Sequence, residues 1–166
     1  GLEGDPVALF DITIPINQDE TEVKGLELMA QHTFGESGFG FQANYTVVDG
    51  DLKYDINLNE EQWVVPGMSD TANLVGFYDK DGFQIRLAYN WRDKYLQSPA
   101  RDPRFVEEYS QLDLNASYEF SDNFSVFIEG INLTEEHQRI HGRSKYQVRE
   151  YSVGHARYNL GAKYSF

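Results

Sequence analysis

Unbroken alternation of apolar and polar residues over ten positions confines a chain to strands with two unlike faces. Successive side chains of a strand point to opposite sides, whereas a helix groups them every three or four positions. From Phe83 to Arg92 one face carries Phe83, Ile85, Leu87, Tyr89 and Trp91, and the other Gln84, Arg86, Asn90 and Arg92. Between Tyr109 and Phe120, Leu112, Leu114, Ala116, Tyr118 and Phe120 oppose Gln111, Asp113, Asn115, Ser117 and Glu119. The last stretch sets Tyr158, Leu160, Ala162, Tyr164 and Phe166 against Arg157, Asn159, Lys163 and Ser165.

Five weaker stretches follow the same period. Residues 6–17 present Phe10, Ile12, Ile14 and Ile16; residues 22–34 present Leu26, Leu28, Ala30 and Phe34, with His32 among them. Residues 38–48 present Phe39, Phe41, Ala43, Tyr45 and Val47, and residues 71–79 present Ala72, Leu74, Gly76 and Tyr78. Residues 123–133 present Phe124, Val126, Ile128 and Gly130, although Phe127 and Ile131 fall on the polar side. The expected fold is all-β, an antiparallel up-and-down meander of eight strands. With 11 Phe, 11 Tyr and only 5 Pro, the composition suits strands.

Alternation alone leaves two architectures open, a soluble β-sandwich and a transmembrane β-barrel. Three features favour the barrel. Every second connection is tight (Gly35–Ser37, Lys80–Asp81, Ser121–Asp122), whereas 49–70, 94–108 and 134–155 are long and polar. Outer-membrane barrels sort their connections this way, and a sandwich has no reason to. Aromatics flank the tight turns: Phe34 and Phe39, Tyr78 and Phe83, Phe120 and Phe124, with Phe166 at the same level. Such a ring suits the lipid headgroup region, and Tyr45, Tyr89 and Trp91 would supply part of a second one. Finally, strands of about ten to twelve residues, tilted near 45°, rise roughly 25 Å, enough to cross a hydrocarbon core.

Other chemistries find little support. A net charge of −13 argues against a nucleic-acid partner. There is no cysteine, hence no disulfide and no thiolate metal site. His137 and His141 form H-x-x-x-H without a third ligand of suitable spacing, so no metal is expected. Asp79–Lys80–Asp81–Gly82 reads as a hairpin turn rather than a calcium loop, since Asp-Gly supplies positive φ. No nucleophile–base spacing, phosphate loop or catalytic carboxylate pair stands out; neither an enzyme nor a cofactor is expected. The start shows no basic region followed by an apolar one, so either the protein is not exported or Gly1 lies inside a longer precursor.

The final residues, Asn159–Leu160–Gly161–Ala162–Lys163–Tyr164–Ser165–Phe166, resemble the C-terminal signal by which the outer-membrane barrel assembly machinery recognises its clients. The matching positions are Asn159, Gly161, Tyr164 and Phe166. Four further patches resemble TonB-dependent receptors, in family order: Glu22–Val23–Lys24–Gly25–Leu26–Glu27–Leu28, Pro66–Gly67–Met68–Ser69–Asp70–Thr71–Ala72–Asn73–Leu74, Arg86–Leu87–Ala88–Tyr89–Asn90–Trp91–Arg92–Asp93–Lys94–Tyr95–Leu96, and Ile128–Glu129–Gly130–Ile131–Asn132–Leu133–Thr134. Leu9–Phe10–Asp11–Ile12–Thr13–Ile14–Pro15–Ile16–Asn17 resembles a proteobacterial subgroup often linked to carbohydrate uptake.

The resemblance implies a Gram-negative outer-membrane transporter closed by about 22 strands. Residues 1–166 would form the C-terminal part of its barrel, without the N-terminal plug that couples to TonB. The implied partners are outer-membrane lipid, the assembly machinery, TonB through the missing part, and a scarce nutrient: an oligosaccharide, or a siderophore or other chelate. Tyr54, Trp63, Tyr95 and Phe105 in the long loops could stack on such a ligand, or pack loop against loop. Arg86, Arg92, Asp113 and Arg157 are expected to face the lumen. The competing readings are a small stand-alone barrel acting as anchor or adhesin, and a soluble β-sandwich binding module.

Overall fold

The computed structural model describes residues 14, 20–60 and 62–166. The strand expected over residues 6–17 lies outside the described residues. Seven of the eight expected strands form one antiparallel sheet. They are β1 (Val23–Thr33), β2 (Phe39–Gly50), β3 (Thr71–Lys80), β4 (Phe83–Arg92), β7 (Tyr109–Ser121), β8 (Phe124–Ile131) and β11 (Arg157–Tyr164). Spatial order follows chain order throughout. Two of the tight turns rest on positive φ where a turn needs it. Asp81 (54°) and Gly82 (75°) both adopt it, as a two-residue type I′ hairpin requires, and Gly35 (54°) and Gly38 (84°) bracket a 3-10 turn.

Register places the two faces as the alternation predicts. Leu74 pairs with Tyr89 and Tyr89 with Leu112; Gly76 pairs with Leu87 and Leu87 with Leu114; Ile128 pairs with Leu160. The apolar positions therefore run as continuous rows across the strands. No described residue covers them: Leu26, Leu74 and Leu160 are 59%, 53% and 83% exposed. The buried hydrophobic residues among those described are Val75, Val106 and Ile140, and none belongs to the predicted apolar series. A soluble sandwich would bury this face in its core, so the exposure counts against that architecture. Lys24 shares the parity of Leu26, but it sits at the long-loop end of β1 and pairs with Glu22 at 3.0 Å.

Two expectations are corrected. Residues 94–108 and 134–155 are not simple loops. They contain β5 (Tyr95–Ser98), β6 (Arg104–Val106), β9 (Gln138–His141) and β10 (Val148–Ser152), which form a second antiparallel sheet ordered β10-β9-β6-β5. Residues of both connections are brought together by pairing between β6 and β9, where Val106 meets Ile140 and both are buried. The strand expected over 123–133 stops at Ile131, because Asn132 turns to a φ of 55°. A smaller departure is at Phe120, which occupies a bulge: Glu119 and Ser121 pair with Ser125 and Phe124, leaving it without a partner.

Candidate functional site

Three regions carry the residues singled out by the sequence. The first is the tight-turn end of the large sheet. Here Phe39 contacts Tyr78 (ring centroids 4.6 Å apart), Tyr78 contacts Phe83 (6.0 Å), and Phe83 contacts Tyr118 (6.5 Å). Tyr118 meets Phe120 edge-on at 4.8 Å, and Phe120 meets Phe124 at 5.6 Å. Four of the five tilted or edge-on contacts cross a strand pair or turn and one, Tyr118–Phe120, runs along β7, so together they link strands β2, β3, β4, β7 and β8. Tyr118 was not among the residues expected in this ring. At the other end, no ring pair joins Tyr45, Tyr89 and Trp91 among the described residues; Trp91 Nε1 instead donates to Glu108 Oε1 at 2.7 Å.

The four residues expected to form an assembly signal divide between the two faces of β11 and its extension to Phe166. Tyr164 and Phe166 lie on the apolar side in edge-to-face contact at 5.6 Å, and both are exposed. Asn159 and Gly161 lie on the polar side. Asn159 Nδ2 donates to Glu129 Oε2 at 3.3 Å, and Asn115 Nδ2 donates to Glu129 Oε1 at 3.2 Å. Glu129 thus joins three adjacent strands, a role the sequence reading missed although parity already placed it there. Gly161 lies under the ring of Phe127, its cross-strand partner.

The polar face is the second region. Arg86, Asp113, Asn115 and Glu129 line a shallow depression of about 310 Å³, and Arg157 stands exposed opposite Ile131. Asp113 has a structural task as well. Its Oδ1 accepts the backbone N–H of Asn132 at 2.9 Å. The Asn132 side chain then donates to Glu136 O (3.1 Å) and accepts Glu136 N–H (3.0 Å), which fixes the departure of the chain from β8. Arg92 has its guanidinium 4.7 Å above the Tyr95 ring. Its Nε is shut off from solvent without a hydrogen-bond partner among the described residues.

The third region is the long-loop end. Tyr54 packs edge-on against Phe105 at 5.8 Å and its hydroxyl donates to Ala100 O at 3.4 Å; Phe105 stacks on His141 at 5.4 Å. These two candidates pack loop on loop. Tyr95 lies half-buried beneath Arg92, and Trp63 is exposed at 57%. Arg143 ties all three loops, donating to Ile56 O and, at 2.9 Å, to Arg101 O. Arg149 pairs with Asp102, and Arg104 with Glu150 at 2.9 Å, so ion pairs bind the second sheet across its strands. Arg143 had no signal in the sequence beyond lying in the acid-free run 137–149. His141 Nε2 lies 3.8 Å from Glu107 Oε1, but among the described residues no cluster of three or more ligand-type side chains could hold a metal.

Comparison with known proteins agrees with this geometry. A family model described as "TonB dependent receptor-like, beta-barrel" matches residues 2–133. No curated protein and no solved structure matches the chain.

Proposed function

The chain belongs to the TonB dependent receptor-like β-barrel family, outer-membrane proteins of transport, and from this premise we propose that it builds the C-terminal part of a barrel that actively takes up a scarce nutrient. The observation that carries the reading is the division of the large sheet. An uncovered apolar face suits lipid, the polar face suits a hydrated lumen, and every long connection gathers at one end. The tight turns then face the periplasm and the second sheet faces the exterior. A plug contributed by the remainder of the protein would hold the ligand, and TonB would supply the energy for its release. The final strand, through Asn159, Gly161, Tyr164 and Phe166, would be read by the assembly machinery during insertion.

An oligosaccharide is favoured over a chelate. The residues 9–17 resemble those of a carbohydrate-linked subgroup, and Trp63 leaves an aromatic surface free on the outer loops. The test is ligand entry in cells that carry or lack the gene, each with and without functional TonB. Growth under limiting carbohydrate is compared with growth under limiting iron. Carbohydrate-dependent growth that needs both the gene and TonB is the expected result. Entry that needs the gene but not TonB would contradict active uptake and favour a passive barrel.

A further inference from the structure

Arg92 stands where β4 leaves the large sheet, on the polar face, beneath the second sheet. Among the described residues its guanidinium makes no hydrogen bond and has no carboxylate within 4.0 Å; only the Tyr95 ring engages it. Its Nε is closed to solvent and therefore to a ligand, so what the residue can offer is its terminal Nη pair, and a half-buried cation without a counter-charge is costly. The same residue lines a cavity of about 260 Å³ together with Tyr109 at the start of β7, Glu136 just before β9, Gln138 at its start, and Ser152 at the end of β10. The cavity therefore joins barrel strands to loop strands, at the mouth between exterior and polar face.

We infer that this cavity is a subsite for an acidic sugar unit, whose carboxylate takes the Arg92 guanidinium. The proposal deepens the uptake reading and rests on it. The two terminal Nη groups of Arg92 match a carboxylate in two parallel hydrogen bonds, its Nε edge being closed. Its stacking on Tyr95 holds the fork in place without consuming its donors. Glu136 lines the same space and has no cation within 4.0 Å among the described residues. One cation beside one carboxylate tolerates a monoanion and disfavours a doubly charged phosphate, because like charges repel. Glu136, Gln138 and Ser152 supply acceptors and donors suited to hydroxyl groups. The volume is below the roughly 300–1,000 Å³ of sites for drug-sized ligands, so the cavity holds one unit of a longer chain.

The experiment uses the full-length transporter purified in detergent and titrated calorimetrically with two probes, a trisaccharide of glucuronate and a trisaccharide of glucose. The wild type is expected to bind the acidic probe at least about tenfold more tightly, the difference that one charge-assisted pair provides. Arg92→Gln should abolish that preference, and Arg92→Lys should restore part of it. Heat-modifiable migration shows that each variant is folded, and the wild-type comparison stands without any variant. Equal affinity for the two probes, a preference that survives in folded Arg92→Gln, or competition by inorganic phosphate as effective as that by glucuronate would each overturn the assignment. None of these outcomes touches TonB-dependent entry, which fails or stands on the cell experiment alone.

Discussion

Phe127 and Gly161 face each other across the β8–β11 ladder, and the phenyl ring covers the glycine so closely that a Cβ there would collide with it. Phe77 covers Gly40 across β2–β3 in the same way. Both aromatics lie on the polar face, where the alternation would have placed a polar residue. An aromatic laid over a cross-strand glycine shields backbone that the glycine leaves bare, and helps to pin the register.

Adding a side chain at Gly161 therefore forces Phe127 off its seat. Gly161→Val should destabilise the folded barrel by about 1–3 kcal/mol, the usual cost of overpacking. Gly76 is the control, since a Cβ there meets nothing within 4 Å. Gly76→Ala should be neutral or stabilising by up to about 1 kcal/mol, as strand glycine carries an entropic cost. Urea unfolding of the full-length protein in lipid vesicles measures both; equal losses would mean that Phe127 does not depend on the glycine.

Leu87 and Leu114 are direct cross-strand partners in the middle of the apolar face. Leu87→Arg and Leu114→Arg should each cost roughly 2–4 kcal/mol near the bilayer midplane. Ala88, on the other face and paired with Asp113, should accept arginine at far smaller cost. Folded yield in the outer membrane separates the three, and similar yields would show that the faces are misassigned.

Asn132 combines a left-handed backbone with 5% exposure and hydrogen bonds from both its backbone N–H and its side chain. Asn132→Gly keeps the backbone freedom but loses the side-chain bonds, so it should loosen the path into β9 by about 1–3 kcal/mol. Asn132→Ala loses the same bonds and also strains the turn, and should do worse. Hydrogen exchange over residues 133–156 reads the difference; unchanged protection in both would contradict the anchoring role.

The assembly reading of Phe166 separates it from Phe120, a ring-forming residue outside the last strand. Phe166→Ala should lower outer-membrane levels far more than Phe120→Ala, while both proteins refold alike in detergent. If the two lower membrane levels alike, Phe166 acts only through its ring at the interface.

The large sheet was readable because a ladder with one lipid-facing side must keep a period of two over each strand, and β4 runs over Phe83–Arg92 as the alternation gives it. The second sheet was not. Its strands are three to five residues long, too short to show a period, and their pairing joins segments far apart in the chain. Val106 lies between Phe105 and Glu107, and Ile140 between Arg139 and His141, so neither looks like a core residue in sequence. The partners of Arg143 are backbone carbonyls, which every residue offers and no motif marks. The ring at the tight turns was legible in outline, but Tyr118 entered it only through register with Phe83.

The division of the large sheet into a lipid face and a lumen face is tested most directly by single spin labels in full-length protein reconstituted in vesicles. Residues 1–166 contain no cysteine, so an introduced cysteine is the one labelling site in this part of the protein. Labels at residues 85, 87 and 89 should be accessible to oxygen and shielded from a water-soluble nickel complex, with residues 84, 86, 88 and 90 showing the reverse. Accessibility without that alternation, or with its sense inverted, would contradict the outer-membrane barrel placement of this sheet.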